Sequence, residues 1–235
     1  MLMVTSNQLA GNASVRPMLL DTVMMSHPTQ PAAAEAGPRM MRRDAIRNRE
    51  LVVRASLEVF SEYGSLGTVG QVAERAGVGR ATVYRSFPTR EALMTAVGVR
   101  QLSELGEIAA RCLADPSTPG AGLIDYVFNL FAYNRVNRLY LELFRGELNA
   151  EVKAARDATR LVVGELIAQA RASGLVRPDV IDDDFNLLAG GLAVQLSLDA
   201  STTSEQWQRG RRLLLLALGV PDDIATNGSR GNPCA

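Results

Sequence analysis

The segment from Thr68 to Arg90 constrains the fold of this chain most strongly, because it predicts two short helices joined by a glycine-containing turn. Thr68 followed by Gln71 is a capping-box pattern, which predicts a helix that begins at about Val69. The sequence Gly-Val-Gly at positions 77–79 predicts the end of that helix, because glycine adopts the positive φ that a sharp turn between helices requires.

The second helix of the pair is predicted from Arg80 to about Ser86, with Val83 directed inward toward Phe87. The residues left on its outward face are Arg80, Ala81, Thr82, Tyr84 and Arg85. Such a pair forms a helix-turn-helix, and an exposed second helix with these donors has the size and chemistry to enter a DNA major groove. The same geometry also occurs in helical proteins that never touch DNA.

The distribution of charge favours DNA binding over that simpler interpretation. Residues 39–100 hold eleven arginines and six acidic residues, a net charge of +5, whereas residues 101–235 have a net charge of −4. A localised basic region is the electrostatic footprint of phosphate binding. Five of the arginines precede or begin the first predicted helix: Arg39, Arg42, Arg43, Arg47 and Arg49. They form either a solvated charged face or an arm that touches phosphates or the minor groove.

Residues 43–97 resemble the N-terminal domain of the tetracycline-repressor (TetR/AcrR) family of bacterial transcription regulators. Three motifs carry the resemblance: LEVF at 57–60 with Gly64, VAERAGV at 72–78, and TVYRSFPTREAL at 82–93. The resemblance implies an all-α protein, with an N-terminal three-helix DNA-binding domain that contains the helix-turn-helix and a larger C-terminal helical domain for ligand binding and dimerisation. One departure is Gly70 inside the first motif helix, which costs about 1 kcal/mol of helix propensity relative to alanine.

The motif and the resemblance together predict a DNA-contact surface. Its residues are Arg43, Thr68, Arg80, Ala81, Thr82, Tyr84, Arg85 and Arg90. Arg80 opens the recognition helix, and its guanidinium has the fork geometry that pairs with guanine O6 and N7. The family resemblance places Arg90 at a basic phosphate contact.

Breaks in hydrophobic periodicity predict the domain boundaries. Residues 1–38 are expected to be a disordered tail, or a translation of upstream sequence with the true start near Met40 or Met41. The DNA-binding domain is expected at 39–90, the helical ligand-binding and dimerisation domain at 91–220, and a flexible tail at 221–235. A long helix from Thr89 to about Leu113 is predicted to join the two domains.

The most aromatic part of the chain follows Gly120 and predicts a central helix that is buried around its circumference. These residues are interpreted first as plain core. The family resemblance adds that the corresponding helices wall a ligand cavity, and such cavities are mostly apolar with few polar groups. The predicted ligand-binding residues are Tyr126, Phe128, Asn129, Phe131, Tyr133, Asn134, Asn137 and Tyr140.

The last two predicted helices run from Phe185 to Leu198 and from Thr203 or Ser204 onward. Two adjacent glycines in the first of them weaken its helix propensity, so a compensating close approach of helices is expected. The resemblance implies that these helices pair with their copies in a second subunit, and the alternative is a core within one chain. The predicted dimer residues are Leu187, Gly190, Gly191, Val194, Trp207, Leu214 and Leu218.

Several function classes lack support in the sequence. The only histidine is His27, so no Ser/His/Asp or Cys/His set can form in the folded part, and we predict neither an enzyme nor a cofactor. The acids at 182–184 are interpreted as the first turn of a helix rather than a metal site. No membrane span is predicted, and Cys112 and Cys234 suggest no disulfide framework, so we expect a cytoplasmic protein.

The function expected from the sequence is a ligand-responsive transcriptional regulator. We expect a repressor that binds a (pseudo)palindromic double-stranded DNA operator as a homodimer and is released by a small apolar or amphipathic effector. Two alternatives remain open: a global or architectural DNA-binding protein without a ligand, and a transcriptional activator.

Overall fold

The computed structural model describes residues 36–114, 120–137, 149–199 and 201–228 of the chain. Within these ranges the chain forms nine α-helices and one short 3₁₀ turn at Gly64–Leu66, with no β-strand. The helices are α1 Ala36–Tyr63, α2 Val69–Ala76, α3 Arg80–Ser86, α4 Arg90–Ala114, α5 Ala121–Val136, α6 Ala150–Ala172, α7 Asp182–Ser197, α8 Ser204–Ala217 and α9 Asp222–Asn227. The predicted all-α class is confirmed.

The helix boundaries follow from local capping. Thr68 makes the predicted capping box with Gln71, and Gly77 ends α2 in the left-handed conformation at φ 66°. Thr89 accepts a hydrogen bond from the backbone N–H of Ala92 at 3.1 Å and so begins α4. Thr203 makes a second capping box, which begins α8. Each of these starts was predicted from the sequence.

The first hydrophobic core lies among α1, α2, α3 and the start of α4. It contains Val52, Val59, Phe60, Val72, Val83, Phe87, Leu93 and Val97. The buried stripe of α1 consists of Val52, Ser56, Val59 and Phe60, whereas Tyr63, the last residue of the helix, is 42% exposed.

The second core is larger and is built by α4 to α9 around α5. Nine side chains of α5 are buried, as its apolar circumference predicted. Among the residues that pack there are Leu105, Cys112, Leu123, Ile124, Leu166, Ile167, Trp207 and Leu214.

Helix α4 belongs to both cores. Leu93 and Val97 near its start are buried in the first core, whereas Leu105 and Cys112 lie in the second. The middle of α4 also packs closely on α6, where the Thr159 hydroxyl donates a hydrogen bond to the backbone carbonyl of Leu102 at 2.9 Å. A single rigid element therefore connects the helix-turn-helix with the larger helical domain.

Two predicted boundaries were wrong. Helix α1 begins at Ala36, within the segment 1–38 that was expected to be a tail. Pro38 lies in its first turn, where the proline's missing N–H has no intrahelical partner to lose. The chain after Pro221 is not simply a tail, because residues 222–227 form α9. Arg212 donates two hydrogen bonds to the Asp222 carboxylate at 2.6 and 2.8 Å, and Ala225 is fully buried. Residues 1–35 and 229–235 and Tyr140 lie outside the described residues.

Candidate DNA-binding surface and ligand cavity

The helix-turn-helix presents one face of α3 to solvent. Val83 and Phe87 anchor the helix with only 1% and 2% of their surfaces exposed. The opposite side carries the predicted outward residues Arg80, Ala81, Tyr84 and Arg85, all exposed. Thr82 is half-buried, and its hydroxyl accepts a hydrogen bond from Arg85 at 3.1 Å. The recognition helix therefore has the predicted orientation, with Val83 toward the core and its basic residues toward solvent.

The side chain of Arg80 packs across the helix pair onto α2. A Cβ atom added at Gly70 would lie 2.7 Å from Nη2 of Arg80, which is closer than real Cβ contacts. The glycine that weakens α2 thus gives the Arg80 guanidinium room to lie against the helix backbone. The sequence marked Gly70 as a departure but did not reveal this contact.

Arg90 braces the motif from its C-terminal side. Its Nη1 donates a hydrogen bond to the carbonyl of Gly67 at 2.7 Å, and its guanidinium carbon is 5.0 Å from the centroid of the Phe60 ring. This contact joins the start of α4 to the turn before α2. Arg90 was predicted only as a phosphate contact, so its structural role was missed.

Arg49 of α1 supports the other end of the recognition helix. It donates to the backbone carbonyl of Ser86 at 2.8 Å, and its guanidinium carbon lies 4.1 Å above the Phe87 ring. Its position in the predicted basic arm is thus explained by packing on α3. Arg42, Arg43 and Arg47 remain exposed along α1.

The side chains of two further polar residues of the motif already have partners within this domain. The hydroxyl of Thr68 serves the capping box with Gln71, so its predicted DNA contact would have to share that role. Arg75 forms ion pairs with Glu58 at 3.2 Å and Glu62 at 2.9 Å. The hydrogen bond from Arg75 lowers the pKa of the Glu62 carboxyl, so both groups stay charged at neutral pH. Arg75 therefore adds little positive potential to the exposed face.

A cavity of about 330 Å³ lies among α4, α5, α6 and α7. Its apolar wall includes Leu102, Leu105, Leu130, Val163 and Phe185. Its polar lining comes from Asn134 of α5, from Arg156, Thr159 and Arg160 of α6, and from Asn186 of α7. A mostly apolar space with a few polar groups has the character of a small-molecule site.

The side chain of Asn134 is unusual among these lining residues. It is 1% exposed, and its Oδ1 atom meets no hydrogen-bond donor in the part of the chain that the structure describes. A buried polar atom without a partner costs roughly 1–3 kcal/mol. Such a group in a cavity wall marks a position where a ligand donor would be accepted.

Of the seven predicted ligand residues that the structure describes, two line this cavity, Tyr126 and Asn134. Phe128 lies under the Arg211 guanidinium at 3.5 Å, and Phe131 packs edge to face on Trp207 at 6.1 Å between centroids. Asn129 donates to the carbonyl of Asp125, one turn earlier in the same helix. These three residues therefore serve the core and the helix, not the cavity.

Tyr133 and Asn137 tie α5 to α4. The Tyr133 hydroxyl donates to Glu104 Oε2 at 2.6 Å, and burial together with that hydrogen bond raises the pKa of the Tyr133 phenol well above its usual value. The carbonyl of Asn137 accepts a bond from Gln101 Nε2 at 3.4 Å, and its Oδ1 accepts one from Ser61 of α1 at 3.3 Å. Asn137 thus connects α5 with the helix-turn-helix module.

The cavity residues that the sequence reasoning missed lie mainly on α6. Arg156, Thr159, Arg160 and Val163 recur at helical spacing on one face. Polar residues at i, i+3 and i+4 within the face that packs on α4 are a signal that could have identified this wall.

The predicted dimer residues divide into two groups. Trp207, Leu214 and Leu218 are buried in the second core of this chain, so their assignment to a subunit interface was wrong. Gly190 and Val194 are half-buried and line the cavity. Leu187 is 75% exposed, and a Cβ at Gly191 would meet nothing within 4 Å in this chain. The close approach expected at the glycines is therefore not made by Gly191 within the chain.

Two other expectations concern metals and membranes. The acids at 182–184 lie in the first turn of α7, as predicted. Among the described residues no three His, Cys, Asp or Glu side chains are grouped as a metal site would need. No helix in that part of the chain has both the length and the apolar character for a membrane span.

The outward-facing α3 and the cavity beyond α4 define a DNA-binding regulator of the helix-turn-helix class. The family model "Bacterial regulatory proteins, tetR family" matches residues 52–97, and "Transcriptional regulator SbtR-like, C-terminal domain" matches residues 118–219. The chain belongs to the TetR family of bacterial transcriptional regulators.

Individual relatives support this assignment. The HTH-type transcriptional regulator RutR of Escherichia coli O157:H7 is 31% identical over 168 residues, which cover 69% of this chain and 69% of that protein. RutR of Escherichia coli K12 is 29% identical over 141 residues, 55% of this chain, and the match spans 65% of its length, slightly less than two thirds. The TetR transcriptional regulator SCO0520 from Streptomyces coelicolor is similar in crystal structure, with a TM-score of 0.55, 28% identity and coverage of 73% of this chain and 96% of that one.

Proposed function

We propose that this protein is a ligand-responsive transcriptional repressor that binds a (pseudo)palindromic operator as a homodimer in the cytoplasm. The observation that carries the proposal is the shared helix α4. Its first turns are packed among the helices that hold α3, and its middle forms one wall of the cavity through Leu102 and Leu105. A molecule in the cavity therefore presses on the element that positions the recognition helix.

The DNA-facing side of the proposal rests on exposed basic and polar residues. Arg80, Tyr84 and Arg85 project from α3, and Arg43 is exposed on α1. Arginine on a recognition helix reads guanine through its fork of donors, while arginines on the flanking helix neutralise phosphates. Their common exposure supports docking of α3 in the major groove, with α1 beside the DNA backbone.

The second copy is expected on an exposed stripe of α7 and α8. Leu187 and Gly191 of α7, Leu198 at its C-cap and Leu213 of α8 are exposed, and α7 and α8 pack on each other. Large exposed leucines on neighbouring helices mark an interaction surface. Because Leu187 and Gly191 also line the cavity, a partner on this stripe would cover part of its wall.

The proposed release mechanism is a population shift. DNA binding requires two α3 helices at a spacing that matches successive major grooves. An effector that binds better to a conformation with a different spacing moves the population away from the operator-competent state. The link from Asn137 to Ser61 and the continuous α4 provide the physical connection between cavity and motif.

The test is to identify genomic fragments that the purified full-length protein binds and to measure affinity for the best fragment against scrambled DNA. We expect a dimer that prefers a two-fold symmetric fragment. Equal affinity for bulk DNA would instead favour the architectural alternative. The effect of deleting the gene on transcription from the bound promoter then separates the repressor from the activator.

A further inference from the structure

The chemistry of the cavity wall limits what kind of effector can occupy it. Two arginines, Arg156 and Arg160, line the cavity, whereas no aspartate or glutamate does among the described residues at its surface. Placing an anion near two guanidinium groups in a partly buried space is favourable, while a cation there would be repelled. The wall therefore selects for negative charge.

The aspartates that contact these arginines would compete only weakly with a bound anion. Arg156 contacts Asp157, its neighbour in sequence, at 3.3 Å, and Arg160 approaches Asp183 only to 3.8 Å. Both aspartates are at least half exposed, and ion pairs between exposed groups contribute at most about 1 kcal/mol. A carboxylate bound from the cavity side can accept a bidentate, charge-assisted contact from a guanidinium, which is stronger than either of these exposed pairs.

A second observation, independent of charge, comes from the opposite helix. Oδ1 of Asn134 is buried in the same wall and meets no donor in the described structure. An acceptor of this kind is satisfied by a hydroxyl or N–H group on the occupant. The remaining wall, including Leu105, Leu130 and Phe185, is apolar and suits a hydrocarbon or aromatic body.

We propose that the effector is a small organic carboxylate with an apolar body and a hydroxyl or N–H donor. Arg156 and Arg160 bind its carboxylate, and Asn134 accepts a hydrogen bond from its donor group. That the bound molecule acts as an effector rests on the proposed function, whereas the binding site itself is inferred from the cavity residues alone. It narrows the apolar or amphipathic molecule expected from the sequence to an anion.

The experiment uses matched probes on the dimeric full-length protein. The carboxylates are 3-(4-hydroxyphenyl)propanoate and 6-hydroxyhexanoate, each compared with its neutral carboxamide and with its counterpart that lacks the hydroxyl. Calorimetric titration is expected to show that each carboxylate binds about tenfold or more tightly than its carboxamide, as the loss of a charged hydrogen bond implies. Each hydroxyl compound is expected to bind more tightly than its deoxy counterpart.

Three variants assign these preferences to residues. The double variant Arg156→Gln with Arg160→Gln is expected to lose the preference for carboxylate and keep the preference for hydroxyl. Asn134→Leu is expected to show the reverse, and it should fold because it removes a buried oxygen without a partner. Arg111→Gln, at an exposed arginine of α4 outside the cavity, is the matched control and should leave both preferences unchanged.

Several results would overturn the inference. These are tighter binding of the carboxamides, a carboxylate preference that survives the double arginine variant, or no binding of any carboxylate at millimolar concentration. Operator release by the same probes is measured in parallel. Carboxylate binding without operator release would leave the site assignment intact and contradict the proposed function. Release by neutral compounds alone would support the proposed function and contradict the carboxylate site.

Discussion

The guanidinium of Arg80 lies against Gly70, so closely that a Cβ atom on residue 70 would be 2.7 Å from Nη2 and 3.2 Å from Cζ. Arg80 opens the recognition helix, whereas Gly70 lies one helix earlier, in the first half of α2. In this structure the Arg80 guanidinium therefore occupies the space that a side chain at position 70 would need. We therefore expect any influence of Gly70 on DNA recognition to act through Arg80.

Gly70→Ala tests that relationship. The substitution should raise helix propensity by up to about 1 kcal/mol, because alanine is the better helix former. It should nevertheless weaken operator binding, because the new methyl group displaces the Arg80 guanidinium. Thermal unfolding and operator titration measure the two effects. In an Arg80→Ala background the same change should have no further effect on affinity, and an equal loss in both backgrounds would refute the coupling.

Arg80→Ala should cost about 1–3 kcal/mol of operator affinity and relax the preference at one base pair in each half-site. The expected reason is the loss of the bidentate contact to guanine that we propose for Arg80 in the major groove. Titrations on the operator and on scrambled DNA measure both effects. Equal losses on the two DNAs would identify Arg80 as a phosphate contact.

Arg90→Ala should reduce the stability of the protein as well as its affinity for DNA. The variant loses the hydrogen bond to Gly67 and the contact with the Phe60 ring, together worth about 1–2 kcal/mol. If Arg90 also contacts a phosphate, affinity should fall alike on all sequences, and the salt dependence should flatten by about one unit. Chemical denaturation and a salt series separate the two roles. An unchanged stability would show that the bond to Gly67 is energetically unimportant.

Gly191→Leu should leave the monomer folded but disrupt the dimer. Nothing lies within 4 Å of a Cβ at this position in the chain, so the first side-chain carbon has room in the monomer, and we expect the overpacking to arise against another subunit. Light scattering over a concentration series measures the dimer. Ala110→Leu adds a leucine on the exposed face of α4 and serves as the control. A fully dimeric Gly191→Leu protein would remove Gly191 from the interface.

Asn137→Ala should weaken communication between the cavity and the operator while leaving each site functional. The change removes the hydrogen bond from Ser61 to the Asn137 side chain and the bond that this side chain donates to the Tyr133 carbonyl within α5. It keeps the backbone carbonyl that accepts from Gln101. Linkage requires that effector lowers operator affinity by the same factor by which operator lowers effector affinity. Both factors should shrink equally in the variant. Ser61→Ala removes the same bond from the other side and should give the same reduction, with no further loss in the double variant.

The elements of this fold were predictable where the signal is local. The pairs Thr68 with Gln71 and Thr203 with Gln206 cap helices through neighbouring backbone groups, so the sequence alone located both helix starts. The inward Val83 and the acids at 182–184 were equally local. The short helix α9 was missed because it depends on packing that its own sequence does not reveal: Ala225 is fully buried in the second core.

The candidate sites were harder to predict because their roles depend on which faces meet. Nothing near Arg90 in the sequence indicates that it bonds a carbonyl 23 positions earlier. The aromatic residues of α5 were the natural choice for a cavity, yet Phe131 is used against Trp207. The charged wall came instead from α6, whose arginines look like an ordinary solvated face until the helix is packed.

The sharing of α4 between two cores limits how this protein can be recombined. Val97 is buried in the first core and Leu105 in the second, with little more than two turns of continuous helix between them. A one-residue insertion there would rotate everything downstream by about 100° relative to the recognition head. The part of α4 between the two cores is therefore not a position where residues can be inserted without changing the relative orientation of the domains. A chimaera that joins this C-terminal helical domain to another DNA-binding domain must preserve the helical phase of α4. Changes in either domain are therefore compatible with the other only when they keep that phase.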